Sequence, residues 1–195
     1  MEGEDLIILD NLKDINCGIY IDAGCYHPTH LNNTFLLYKK GWRGINIDLS
    51  DYTIDLFNFS RPEDVNINTA IANYDGNIKF YYQKALSQLT SVKKEVAVKR
   101  MQGEIKEKEI KAFRLDTILE NSKFKNKKID FLNIDVEGGD YEALKSINLN
   151  KYRPKVICIE IDEADVFNSK IYKYLTDYKY KKIWSSKSNI SHVFV

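Results

Sequence analysis

"IYIDAGCYHPTHLNNT" runs from Ile19 to Thr34. Ile19, Tyr20 and Ile21 read as a buried strand, and Asp22-Ala23-Gly24 as the turn that leaves it. A glycine directly after a strand is how nucleotide-binding α/β folds begin. Here no second or third glycine follows at the G-x-G-x-x-G spacing. Cys25, Tyr26, His27, Pro28 and a pair of asparagines follow instead. The stretch predicts an open α/β sheet whose first strand end holds something other than a pyrophosphate.

Short apolar strands alternate with amphipathic stretches on either side. "NTFLLYKK" (33–40) has helical spacing, with Asn33 or Asn32 as N-cap and Gly41 as the stop. "GINIDL" (44–49) is a second strand, and "DYTIDLFNFS" (51–60) is a helix that ends before Arg61-Pro62. "DVNINTAIA" (64–72) is a third strand, and "NIKFYYQ" (77–83) a strand after the Asp75-Gly76 turn. Strands follow at 110–115, 129–135 and 155–162, with helices at 116–122, 139–147 and near 165–177. Two closing strands, near 178–184 and 190–195, form a hairpin about Asn189. The alternation predicts one domain over 1–195, a mostly parallel sheet covered by helices on both faces.

Segment 84–111 breaks the pattern. Its run "KKEVAVKRMQGEIKEKEIK" mixes charges with few apolar anchors, which predicts a solvated helix or loop. A long irregular stretch in a compact domain also suits a lid over a substrate site.

The bulk numbers narrow the class of partner. With 29 basic against 28 acidic residues and a formal net charge of +1, no global field attracts nucleic acid or an anionic membrane. No apolar run reaches membrane-spanning length. Cys17, Cys25 and Cys158 are scattered and form no C-x-x-C pair, so neither a zinc knuckle nor a disulfide framework is indicated. Reduced thiols, with an acidic N-terminus unlike a signal peptide, predict a cytoplasmic protein.

Four strands end on acids: Asp22, Asp48, Asp135 and Glu160/Asp162. In such sheets ligands bind at the carboxyl ends of the strands, so these acids should converge on one crevice. A ligand with no phosphate needs no glycine cradle. S-adenosylmethionine offers an ammonium to Asp22 and a ribose diol to Asp48, with Gly24 allowing close approach and Ala70 and Ile71 flanking the adenine. A nicotinamide oxidoreductase is the rival, and the absent glycines count against it.

"IDAGCYHPTHLNNTFLLYKKGWRGINID", "RPEDVNINTAI", "IDFLNIDVEGGDYEALKSI" and "YRPKVICIEID" together resemble the FkbM-type family of S-adenosylmethionine-dependent methyltransferases, over about residues 19–162. Departures are Asn32 in place of Ser, Cys25 in place of Ala, and Asp48 where Glu is frequent. The resemblance implies a three-layer α/β sandwich around a seven-stranded class I methyltransferase (Rossmann-like) sheet, completed by the C-terminal antiparallel hairpin. It implies methyl transfer to oxygen, on a sugar hydroxyl in glycan biosynthesis. Asp22, Gly24, Cys25, His27, Asn33, Thr34, Asp48 and Asp135 are the expected cofactor-binding set. A small phosphorylated or carboxylated precursor is the alternative acceptor, and an inactive methyltransferase-like binding module is the reading from another class.

"IDVEGGD" carries the expected chemistry. Asp135 and Glu137 repel each other, which raises the pKa of one and suits a general base. A helix-capping cluster is the structural alternative. A third reading is magnesium or manganese held by Asp135 with Glu160 or Asp162, since hard cations take oxygen ligands. His27 and His30 have H-x-x-H spacing, but Pro28 disrupts any helix that would align them on a metal. His27 fits a pocket wall better.

Overall fold

The computed structural model describes residues 2–195. The first strand, β1 (Ile19–Ala23), sits at the centre of the main sheet and pairs in parallel with β2 (Arg43–Asp48) and β7 (Phe131–Ile134). β3 (Val65–Asn68) lies outside β2, and β8 (Val156–Glu160) outside β7, both parallel. The hairpin of β9 (Lys182–Ser185) and β10 (Ser191–Phe194) closes the far edge, with β10 inserted antiparallel between β8 and β9. The order β3-β2-β1-β7-β8-β10-β9 is therefore a seven-stranded sheet in which only β10 runs against the rest. It reverses direction of growth at β1, so the crevice above β1, β2 and β7 is the topological switch point.

Alternation along the strands sorts the two faces. Ile21, Ile45, Leu132 and Ile157 point to one side, where α5 (Leu115–Glu120), α6 (Asp140–Lys145), α7 (Leu149–Tyr152) and α8 (Lys170–Asp177) bury them. Tyr20, Phe131, Val156 and Val193 point to the other, under α1 (Glu4–Asn11) and α2 (Phe35–Lys39). The second face also carries a polar row. Asn46, Asp22, Asn133 and Cys158 stand side by side across β2, β1, β7 and β8. All four are buried, so each needs partners from the loops above.

Several expected boundaries move. The strand expected over 64–72 splits: β3 stays in the main sheet, and β4 (Ala70–Ile71) joins a second, three-stranded sheet in the order β4-β6-β5. Thr69 sits at the break, its N–H on Asp48 O at 3.1 Å and its hydroxyl on Lys111 O at 2.7 Å. β5 (Gly76–Tyr82) and β6 (Lys106–Phe113) pair antiparallel over their length. β6 begins inside the stretch read as solvated. Its charges are solvated, as expected, but they line an exposed strand, with Lys79 bonded to Glu107 across the pair at 2.8 Å. Helices α1 and α7, unread in the sequence, are short, and α3 (Asp51–Ser60) starts as expected with Ser50 capping Thr53 N–H. The N-cap of α2 is Thr34, rather than either asparagine; the side-chain Oδ1 of Asn32 accepts from Thr34 N–H and so shapes the preceding turn.

Candidate active site

Gly24 has φ +81°, and a Cβ there would stand 1.8 Å from the carbonyl oxygen of Asp135. The glycine is therefore required by the neighbouring strand end rather than by a ligand. Gly24 N–H bonds Ile47 O and Asp135 N–H bonds Ala23 O, both at 2.9 Å. These bonds hold the ends of β1, β2 and β7 together at the floor of a 410 Å³ cavity. That volume lies within the range of about 300–1,000 Å³ usual for small-molecule sites.

Most of the chain's expected cofactor residues reach this cavity. Asp22, Gly24, Cys25 and Asn33 line the cavity. Asp48, Ala70, Ile71 and Asp135 line it too, as does Glu137 of the expected catalytic pair. His27 and Thr34 are not brought to it. The Nδ1 of His27 accepts from the N–H groups of Thr29 and His30 at 3.2 and 3.1 Å and so closes a turn. Burial lowers its pKa, with the His30 and Arg61 charges adding to the shift. Thr34 is fully buried, its hydroxyl donating to Asp22 Oδ2 at 2.8 Å.

Asp22 is the hub beneath the cavity. Its carboxylate accepts from Asn32 Nδ2, Thr34 Oγ1 and Asn133 Nδ2, all at 2.8–2.9 Å. Burial pushes its pKa up, against the pull of these donors and of Arg61. Arg61, read in the sequence only as the residue that ends a helix, is 1% exposed. Its guanidinium donates to Thr34 Oγ1 and Asn32 Oδ1 at 2.8 Å, and to Pro28 O. The ring of Phe57 lies 4.9 Å from its Cζ. One buried cation thus ties the whole 25–34 loop to the polar row of the sheet. Nothing in the local pattern around "SRPED" signals this, because the partners are far along the chain.

Asp48 closes β2. Its two oxygens accept from Ser50 N–H at 2.8 Å and Tyr26 N–H at 3.0 Å, leaving further lone pairs free. Burial raises its pKa to about 6. Asn33 donates to Asn133 Oδ1 at 3.0 Å, while its own buried Oδ1 has no partner among the described residues. A cavity that combines an acceptor carboxylate, an unpartnered amide oxygen and the apolar Ala70–Ile71 wall fits a ligand with hydroxyls, an ammonium and an aromatic ring. It fits poorly with a pyrophosphate, since no backbone cradle is present at Gly24.

At the edge of this cavity Asp135, Glu137 and Glu160 bring carboxylate oxygens within 4.8 Å of one another. Asp135 is open to solvent through the cavity but enclosed on its protein side. That enclosure, together with Glu160, Glu137 and Asp140, pushes its carboxyl well above the usual range. Burial raises Glu137 to about 7 and Glu160 to about 8. Asp162, expected with this group, instead pairs with Arg100 Nη2 at 2.7 Å, while Arg100 Nη1 bonds Glu137. Arg100 lies on α4 (Lys94–Arg100), and nothing in the local sequence signals its partners, which are far along the chain. Asp140 accepts from Val136 and Gly138 N–H at 3.0 Å and so holds the turn before α6, whose N-cap Gly139 has no side-chain cap. Among the cysteines, Cys25 and Cys158 are buried with pKa values raised by burial, and Cys17 is exposed and unpaired.

Segment 84–105 crosses the cavity. Ser87, Leu89 and Val92 line it, and Ser91 Oγ bonds Glu137 O at 2.7 Å. Gly138 has φ +93°, and a Cβ there would come within 2.9 Å of Val96 Cγ2, so α4 rests directly on this backbone.

No curated protein matches the chain. One similar solved structure is described as a TehB-like SAM-dependent methyltransferase from Corynebacterium glutamicum. It is 13% identical, with a TM-score of 0.46, over 98% of this chain and 86% of that one. The family described as "Methyltransferase FkbM domain" matches residues 18–182. That span covers every strand end that lines the cavity, and the chain belongs to the FkbM methyltransferase family.

Proposed function

We propose that the protein transfers a methyl group from S-adenosylmethionine to a hydroxyl oxygen of a sugar, in a glycan or polysaccharide pathway. Family and fold imply the donor. The observation that carries the oxygen acceptor is the group Asp135, Glu137 and Glu160 at the cavity edge, with carboxylates raised toward neutrality. Bound S-adenosylmethionine would supply a sulfonium-activated methyl carbon for in-line displacement by the acceptor oxygen.

The chain's own groups do the rest. Asp48 accepts the ribose hydroxyls. Asn33 Oδ1 and the Asp22 hub orient the amino-acid end. Ala70 and Ile71 flank the adenine. Asp135 takes the proton that the acceptor hydroxyl loses, and Glu160 beside it shares that proton. Alignment of acceptor and methyl supplies much of the rate.

Asp135→Asn is nearly isosteric and should keep cofactor affinity while turnover falls by about 10²–10⁴, the usual worth of general-base help. The check is radiolabelled transfer from S-adenosylmethionine to a panel of sugars, with the methylated atom located by NMR. Label found only on nitrogen or carbon would overturn the oxygen acceptor. The 4.8 Å clustering of the three carboxylates also favours a second reading, a divalent cation in place of the base. In that case a chelator abolishes wild-type turnover and magnesium or manganese restores it.

A further inference from the structure

A second cavity of 340 Å³ lies under α4, between the loop after β7, the end of β8 and the start of α8. Glu160 alone among the described residues lines both cavities. The second one therefore opens beside the carboxylates at the edge of the first, on the side away from Asp48. Its charges are unevenly satisfied. Asp140 is held by two backbone N–H groups, Glu142 by Lys93 at 3.7 Å, and Asp162 by Arg100 at 2.7 Å. Lys99 and Lys170 line the same cavity from opposite helices, and neither has an ion-pair partner among the described residues. Glu163 is the unpaired acid that remains on the rim.

We infer that this second cavity is the acceptor site, and that it takes a hydroxyl compound bearing a carboxylate or phosphate, held by Lys99, Lys170 and Arg100. The inference rests on the methyl-transfer reading and deepens it. The acceptor hydroxyl reaches past Glu160 to the Asp135 edge, and the anionic group stays outside with the cations. Arg100 is suited to the exchange: one of its nitrogens keeps Glu137, and the other can trade Asp162, whose side chain is 55% exposed, for the ligand's oxygen. A guanidinium fork makes such paired contacts to carboxylate and phosphate.

The test is amide NMR on the full chain, with and without S-adenosylhomocysteine. The probes are inorganic phosphate, glucose 6-phosphate, glucuronate and glucose. Anionic probes should give saturable shifts at Lys99, Arg100 and Lys170, and glucose none. The exposed double variant Lys99→Gln/Lys170→Gln should weaken the anions about tenfold or more, as expected for lost charge-assisted bonds. Lys187→Gln, on the distant hairpin loop, should change nothing. Saturation by phosphate and glucose 6-phosphate alone assigns the phosphoryl group, and by glucuronate alone the carboxylate. Shifts by glucose equal to those of the anions, or no saturable anion shift at these residues, would overturn the inference. Failure to bind S-adenosylhomocysteine is a separate readout, and it counts against the methyl-transfer reading instead.

Discussion

At the scale of single residues, two groups decide the cofactor side of the site. Asp48 carries free lone pairs toward the cavity, and a hydrogen bond to a charged group contributes about 1.5–3 kcal/mol. Asp48→Ala should lower S-adenosylmethionine affinity about tenfold or more, by calorimetric titration. Tyr26 lines the cavity, so water can reach its released N–H in place of the carboxylate, and the fold should survive. Arg61 acts differently because it touches no cavity. Removing one partner from a buried charged network typically costs about 3–5 kcal/mol. Arg61→Met retains much of the packing against Phe57 yet leaves Pro28 O without this donor and removes the countercharge near Asp22, and urea denaturation should show a loss of that order. An unchanged midpoint would mean that the 25–34 loop is held by Asp22 and Asn133 alone.

At the scale of elements, the segment between β5 and β6 is the least anchored. It is held by the Tyr81–Ser91 backbone pair, by Ser91 to Glu137, by the Arg100 and Lys93 ion pairs, and by Val96 against Gly138. Its buried apolar contacts are few, chiefly Ala97 and Met101. Such regions open at low free-energy cost. Amide exchange over residues 84–105 should be fast in the free protein and slow once cofactor and acceptor are bound, while β1 and β7 stay protected throughout. Strong protection of 84–105 in the free protein would show a fixed wall rather than a lid. The charge pattern alone pointed to a solvated segment, and that holds for the lysines of α4. It concealed the first half of β6, before the strand expected at 110–115, because its four exposed residues show no apolar alternation to read.

At the scale of the whole molecule, the clustered acids couple stability to pH. Glu137 and Glu160 carry values of about 7 and 8 when folded, against an ordinary 4.5. The folded state therefore holds protons that the unfolded chain has released, and stability falls as pH rises from about 4.5 to 8. Glu160→Gln should flatten that slope and stabilise the protein at pH 8. Since the cavity admits water, the gain should be about 1–2 kcal/mol, below what the full shift would imply. Thermal melts at pH 5 and 8 measure it, and an unaltered slope would mean that Glu160 ionises freely.

The sequence by itself determined the α/β alternation, the parallel sheet with its closing hairpin, and the strand ends Asp22, Asp48 and Asp135 around one crevice. These are local signals, since strand period, turn residues and strand-end acids are written in consecutive positions. Only the tertiary structure decided what those acids face. Asp22 turned inward because Asn133, Asn32 and Thr34 come to it from other elements. His27 closed a turn, and Asp162 left the carboxylate group for Arg100. Each outcome depends on partners between 2 and 111 residues away, and hydrogen-bond satisfaction in a buried row is settled by whichever side chain the packing delivers.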